Sequence, residues 1–159
     1  MKQLSFITTV LEFDSLDEFD TKEIETIERA LSAAKGAWAP YSNFKVGAAA
    51  LLDKGEIVLG NNQENAAYPS GLCAERVALF SAHAQYPNNK VVCMAICALK
   101  NNELISIPVT PCGSCRQVIL ESNNRFDTPL KLIMHGREKT LVIKNSSELL
   151  PLRFDGSLI

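Results

Sequence analysis

Two short stretches of the chain combine residues that can do chemistry with a spacing that suits it. One is Cys73-Ala74-Glu75-Arg76, which follows the loop residues Ser70-Gly71-Leu72. The other is Pro111-Cys112-Gly113-Ser114-Cys115-Arg116-Gln117. Each opens a predicted helix directly after a loop. The unpaired amides and dipole of a helix N-terminus favour a thiolate over a thiol. Cys112 and Cys115 can therefore bind one metal ion together, and Cys73 can supply a third sulfur. Three protein ligands with an open fourth position describe a catalytic zinc, whereas a structural zinc closes its shell with four. No nearby residue closes it here. His83 lies about three helical turns beyond Cys73, and His135 falls on or beside a strand. A Cys-x2-Cys pair taken alone is equally a redox pair. Glu75 alone is a first-turn carboxylate that compensates a helix dipole. Beside a metal ligand, it becomes a candidate for moving protons.

These residues need a scaffold, and the hydrophobic pattern predicts one. Residues 3–13 read as a short extra strand. Asp20 or Thr21 caps a helix over 21–38, with Ile24, Ile27, Ala30, Leu31, Ala34 and Trp38 at helical spacing. Pro40 closes it. Phe44–Leu52 and Glu56–Gly60 form a hairpin around Asp53-Lys54-Gly55. A loop over 61–72 leads to a helix over 73–84. The apolar run 90–100 reads as a strand covered on both faces. A loop over 106–111 leads to a helix over 112–121. Strands over 130–134 and 140–143 follow, and Ser146 or Ser147 caps a short last helix. Strands alternating with helices predict an α/β chain, a three-layer α/β/α sandwich around one mixed sheet of about five strands. With 159 residues, no repeat and no linker, one domain is expected, spanning 1–159.

Composition sets bounds on function. The formal net charge is −2 and there is no Lys/Arg run, so no electrostatic footprint for nucleic acid is expected. No apolar stretch reaches the ~20 residues of a membrane span, and residues 1–10 lack the pattern of a signal peptide. A cytoplasmic protein is expected. The five cysteines are then thiols and not disulfides. Cys93 and Cys97, four apart on one predicted strand, read as core packing.

A ligand-x-Glu element followed by Pro-Cys-x-x-Cys is the arrangement of zinc-dependent nucleobase deaminases. The chain resembles the small homo-oligomeric cytidine deaminases in Ala39-Pro40-Tyr41-Ser42-Asn43-Phe44-Lys45-Val46-Gly47-Ala48. It is similar to them also in Asn62-Gln63-Glu64-Asn65-Ala66, in the two cysteine stretches and in Leu149-Leu150-Pro151. The resemblance covers about residues 20–155 and leaves 1–19 outside. It implies hydrolytic deamination of free cytidine and deoxycytidine to uridine and deoxyuridine, with one zinc per subunit on Cys73, Cys112 and Cys115. Glu75 is implied as the proton shuttle and Arg76 as a partner of the ligand sulfurs. Phe44, Asn62, Glu64 and the backbone of Ala74 are implied to contact the nucleoside. Phe154 is implied to enter a neighbouring subunit's site, which makes the chain a homotetramer. Gln63 departs from the family, where this position is often aliphatic. A deaminase of a related nucleoside such as blasticidin S, or a zinc-stabilised binding protein without catalysis, are the alternatives. Glu75 speaks against the second.

Overall fold

In the computed structural model, which describes residues 1–156, the first helix, α1, spans Thr21–Lys35. Asp20 starts it with a capping box: its side chain accepts from the Glu23 amide, and the Glu23 carboxylate accepts from the Asp20 amide. Such a box satisfies two otherwise unpaired donors. The helix ends three residues before the predicted Trp38, because Gly36 takes over as its cap. Trp38 leaves the helix and forms an isolated parallel bridge with Gln63.

Among the described residues, seven strands form one sheet. They are β1 (Leu11–Phe13), β2 (Phe44–Leu52), β3 (Ile57–Asn61), β4 (Val91–Lys100), β5 (Glu103–Leu104), β6 (Lys131–His135) and β7 (Thr140–Ile143). Their order is β1-β7-β6-β4-β2-β3, with β5 paired to β4. Only β4 and β6 run parallel, so the sheet is mixed, as the pattern predicts. Five strands are the expected ones. β1, three residues long, is what forms of the extra strand expected over 3–13, and β5, two residues long, is an addition too short to carry a periodic signal. Of the predicted strand over 3–13, only the last three residues pair, with β7.

α1 covers one face of the sheet. The other two helices, α2 (Ala74–Gln85) and α3 (Gly113–Phe126), cover the opposite face. β4 shows why both faces need cover. Its Cys93, Ala95 and Cys97 pack with Ile27 and Ala30 of α1. Its Met94 and Ile96 pack with Ala78, Leu79 and Ile119 on the other side. The two cysteines are thus core residues, and burial pushes both thiols up to about 12. Two glycines set how closely the helices approach. A Cβ on Gly47 would lie 2.1 Å from the Ala30 carbonyl oxygen of α1, and one on Gly60 would lie 2.3 Å from the Ala78 nitrogen of α2. No helix among the described residues is long and apolar enough to cross a membrane.

Candidate active site

Helices α2 and α3 lie side by side and start at the same place in the fold. Cys73 is the N-cap of α2 and Cys112 the N-cap of α3, both with extended backbone. Cys115 sits in the first turn of α3 and is fully buried. The sulfurs of Cys73, Cys112 and Cys115 all lie within 4.8 Å of one another. Two ligands of a tetrahedral zinc, each about 2.3 Å from the ion, are about 4 Å apart, so the cluster is within about an ångström of ligand geometry.

The electrostatics also fit a cation. Burial pushes the Cys73 and Cys115 thiols up, and the nearby Glu75 carboxylate pushes them further. Burial acts the same way on Cys112, but the Cys115 backbone amide and the neighbouring thiols outweigh it and leave Cys112 lowered. Three sulfurs and a carboxylate cannot all ionise in one place without positive charge among them. The donor set is soft and thiolate-rich, which suits zinc. Arg76 adds a second sign. It donates from Nη2 to the Gly71 carbonyl at 3.2 Å, while its Nε is buried with no partner. The expected bond from Arg76 to a ligand sulfur is absent; a buried donor stands ready for an acceptor instead.

Glu75 occupies the first turn of α2 and is only 6% exposed. Burial raises its carboxyl above the usual range, against the pull of its own amide, of Cys115 and of the Arg76 charge.

A cavity of about 510 Å³ opens beside the cluster, a volume ordinary for a small-molecule site. Of the residues expected from the sequence, Asn62, Glu64, Cys73 and Arg76 line it. Phe44, Ala74, Glu75, Cys112, Cys115 and Phe154 are not among its walls. Asn62 is held by β2: its Oδ1 accepts from the Val46 amide at 2.7 Å, and its Nδ2 donates to the Phe44 carbonyl at 3.0 Å. One N–H and one lone pair remain. Glu64 is held by the preceding loop. One oxygen accepts the Tyr41 amide at 2.9 Å and the Ser42 amide at 3.3 Å, and the other accepts the Ser42 hydroxyl. The Ser42 hydroxyl and then the Tyr41 amide hold this carboxyl below the usual range. Gln63 makes a backbone bridge to Leu72 and is exposed.

Phe44 is half-buried at the start of β2. Ala74 is fully buried as the first residue of α2. Phe154 is 63% exposed, with its carbonyl accepting from Gln117 Nε2 at 3.0 Å. Tyr41, Ser42 and Tyr68 also line the cavity and were not singled out from the sequence. Ser42 is part of the Ala39–Ala48 stretch, and its place between a Pro-Tyr and an Asn-Phe gave no hint of a carboxylate twenty residues on. Arg116 was likewise passed over. It joins the second cysteine loop to the C-terminal segment, donating to the Pro111 carbonyl at 3.0 Å and to the Leu149 carbonyl at 3.3 Å.

Residues 20–126 match the cytidine and deoxycytidylate deaminase zinc-binding region. A cytidine deaminase of Halalkalibacterium halodurans is 43% identical over 95 residues, which is 60% of this chain and 67% of that protein. One from Sporosarcina psychrophila is 39% identical over 119 residues, or 74% of this chain and 83% of the relative. The crystal structure of a cytidine deaminase from Burkholderia pseudomallei superposes with a TM-score of 0.69 at 36% identity, covering 82% of this chain and 98% of that one.

Proposed function

The chain belongs to the cytidine and deoxycytidylate deaminase family, and from that membership we propose that it hydrolyses free cytidine and deoxycytidine to uridine and deoxyuridine with release of ammonia. The observation that carries this reading is the buried Glu75 placed beside three convergent cysteine sulfurs, next to a cavity of nucleoside size.

Cys73, Cys112 and Cys115 would hold the zinc, and the N-termini of α2 and α3 would draw charge from their sulfurs. When bound, zinc supplies the Lewis acidity that makes water a competent nucleophile near neutral pH. Glu75 takes the proton that this water gives up at its attack on ring carbon 4. It passes the proton to ring nitrogen 3 and then assists the departing amine. Its buried place in the first turn of α2, beside the three sulfurs, suits it to both accept and return a proton. Glu64, held ionised by Ser42 and Tyr41, accepts a sugar hydroxyl. The free N–H of Asn62 donates beside it. Phe44 packs on the nucleoside and the Ala74 backbone meets the base.

Phe154 completes the site of a neighbouring subunit in a homotetramer. Its exposure supports this, as does the exposure of Tyr41 and Tyr68 at the cavity. We place the protein in the cytoplasm, where its five free thiols stay reduced.

The test is the ultraviolet absorbance of cytidine incubated with the zinc-loaded protein. Conversion to the uridine spectrum by wild type, and none by Glu75→Ala, is the expected result. Turnover of blasticidin S without turnover of cytidine would replace the proposed substrate.

A further inference from the structure

Residues 1–19 lie outside the matched family region, yet they are tied to the chain's other end. The Thr8 hydroxyl donates to the Glu148 carbonyl at 2.7 Å, and the Thr9 amide donates to the Glu148 carboxylate at 3.1 Å. Three residues on, β1 pairs with β7, with Leu11 opposite Val142 and Phe13 opposite Thr140. Glu12 adds an ion pair to Lys139 at 2.8 Å. Phe6 and Ile7 face Leu150, Pro151 and Leu152 across a shared cleft.

The segment gripped in this way is the 3₁₀ turn Ser146–Leu149 and the tail beyond it. That turn is also where the tail meets the active-site helix. Arg116 of α3 holds the Leu149 carbonyl and the Pro111 carbonyl, and Gln117 holds the Phe154 carbonyl. The turn is also anchored from inside the fold, where the Ser146 amide donates to the Leu130 carbonyl at 3.0 Å and Asn123 Nδ2 donates to the Ser146 hydroxyl at 3.3 Å, and the bonds at Glu148 add a second clamp from the N-terminal segment.

We propose that the N-terminal segment is a positioning strap: through Thr8, Thr9 and β1 it fixes the turn Ser146–Leu149 and so sets where the tail presents Phe154. Thr8, Thr9 and Glu148 are then positioning residues for substrate binding. The substrate part of this inference rests on the cytidine reading. The strap itself does not.

The full-length, zinc-loaded protein carrying Thr8→Val with Glu148→Ala tests both. Trypsin cleavage after Arg153 is measured against cleavage after Lys54, which lies in the remote β2–β3 turn. The double variant should raise that ratio at least fivefold with its melting temperature unchanged. Glu148→Gln keeps an acceptor for the Thr9 amide and should restore the wild-type ratio. KM for cytidine should rise in the double variant with kcat unchanged, and adding Phe154→Ala should raise it no further. A wild-type ratio in the double variant overturns the strap. A raised ratio with unchanged KM upholds the strap and removes Phe154 from the substrate site.

Discussion

Cys73 and Cys112 hold equivalent positions on neighbouring helices: each is an N-cap residue whose side chain makes no capping hydrogen bond. A Ser or Asp there would turn back to its own helix. These thiols are left to point at a common centre with Cys115. Replacing Cys112 by Ala removes a ligand while costing little as a cap, since none is made. The expected outcome is loss of bound zinc, from about one per chain to near zero by atomic absorption, with loss of turnover.

Glu75 is close to the cluster but is assigned no ligand role. Glu75→Ala should therefore keep its zinc and lower kcat by roughly 10²–10⁴, the usual worth of a positioned acid/base. Metal content and steady-state rates on the same preparation check this. A fully active variant would remove the proton shuttle from the mechanism.

Ser42 donates both its hydroxyl and its amide to Glu64. Ser42→Ala takes away the largest cause of the lowered Glu64 pKa. That pKa should move up, and the acid limb of the kcat/KM profile should move to higher pH with it. KM for cytidine should rise about five- to tenfold, in line with the roughly 1 kcal/mol of one typical hydrogen bond, with kcat little changed.

Gly60 sits where a side chain would collide with the backbone of α2 at Ala78. Gly60→Ala should destabilise the protein by about 1–3 kcal/mol, the range for overpacking. Because α2 carries Cys73 and Glu75, activity should fall in step. Urea unfolding with the m-value held constant measures the first effect.

His83 and His135 both have pKa values lowered chiefly by burial. The folded state thus binds fewer protons than the unfolded chain near pH 6. Their contribution to stability is complete above about pH 6.5, the unfolded value, and is lost as pH falls toward the folded values. Melting temperature should drop on acidification from pH 7.5 to 5.5, and less so in His83→Gln, where the buried Nδ1 without a partner is removed.

The cysteine constellation was legible because it depends on local spacing at helix starts, which the fold preserves. The sheet core was legible in β2 and β4, whose apolar runs have no other use. What escaped was set by tertiary contacts. α3 runs to Phe126, five residues past the predicted end, because Ser122 and Asn123 are buried and bonded. Asn123 accepts from the Leu130 amide at 3.1 Å and donates to Ser146 at 3.3 Å. In sequence the same residues resemble a turn. β5 is defined by its pairing with β4, Leu104 opposite Leu99 and Glu103 opposite Lys100. The grip of Ser42 on Glu64 joins two loops, and nothing in either loop announces the other. The two bonds by which β2 holds Asn62, from the Val46 amide and to the Phe44 carbonyl, likewise have no signal in the sequence.

The two halves of the site lie far apart along the chain, with β4 and β5 between them. A ribosome adding about 5–20 residues per second takes several seconds to travel from Cys73 to Cys112. During that interval only one of the three converging sulfurs, that of Cys73, has emerged, since Cys93 and Cys97 belong to β4 and go into the core. Loading therefore belongs to the finished protein, after α3 has crossed over and β6 has joined β4, and a prematurely truncated chain would draw nothing from the cell's zinc.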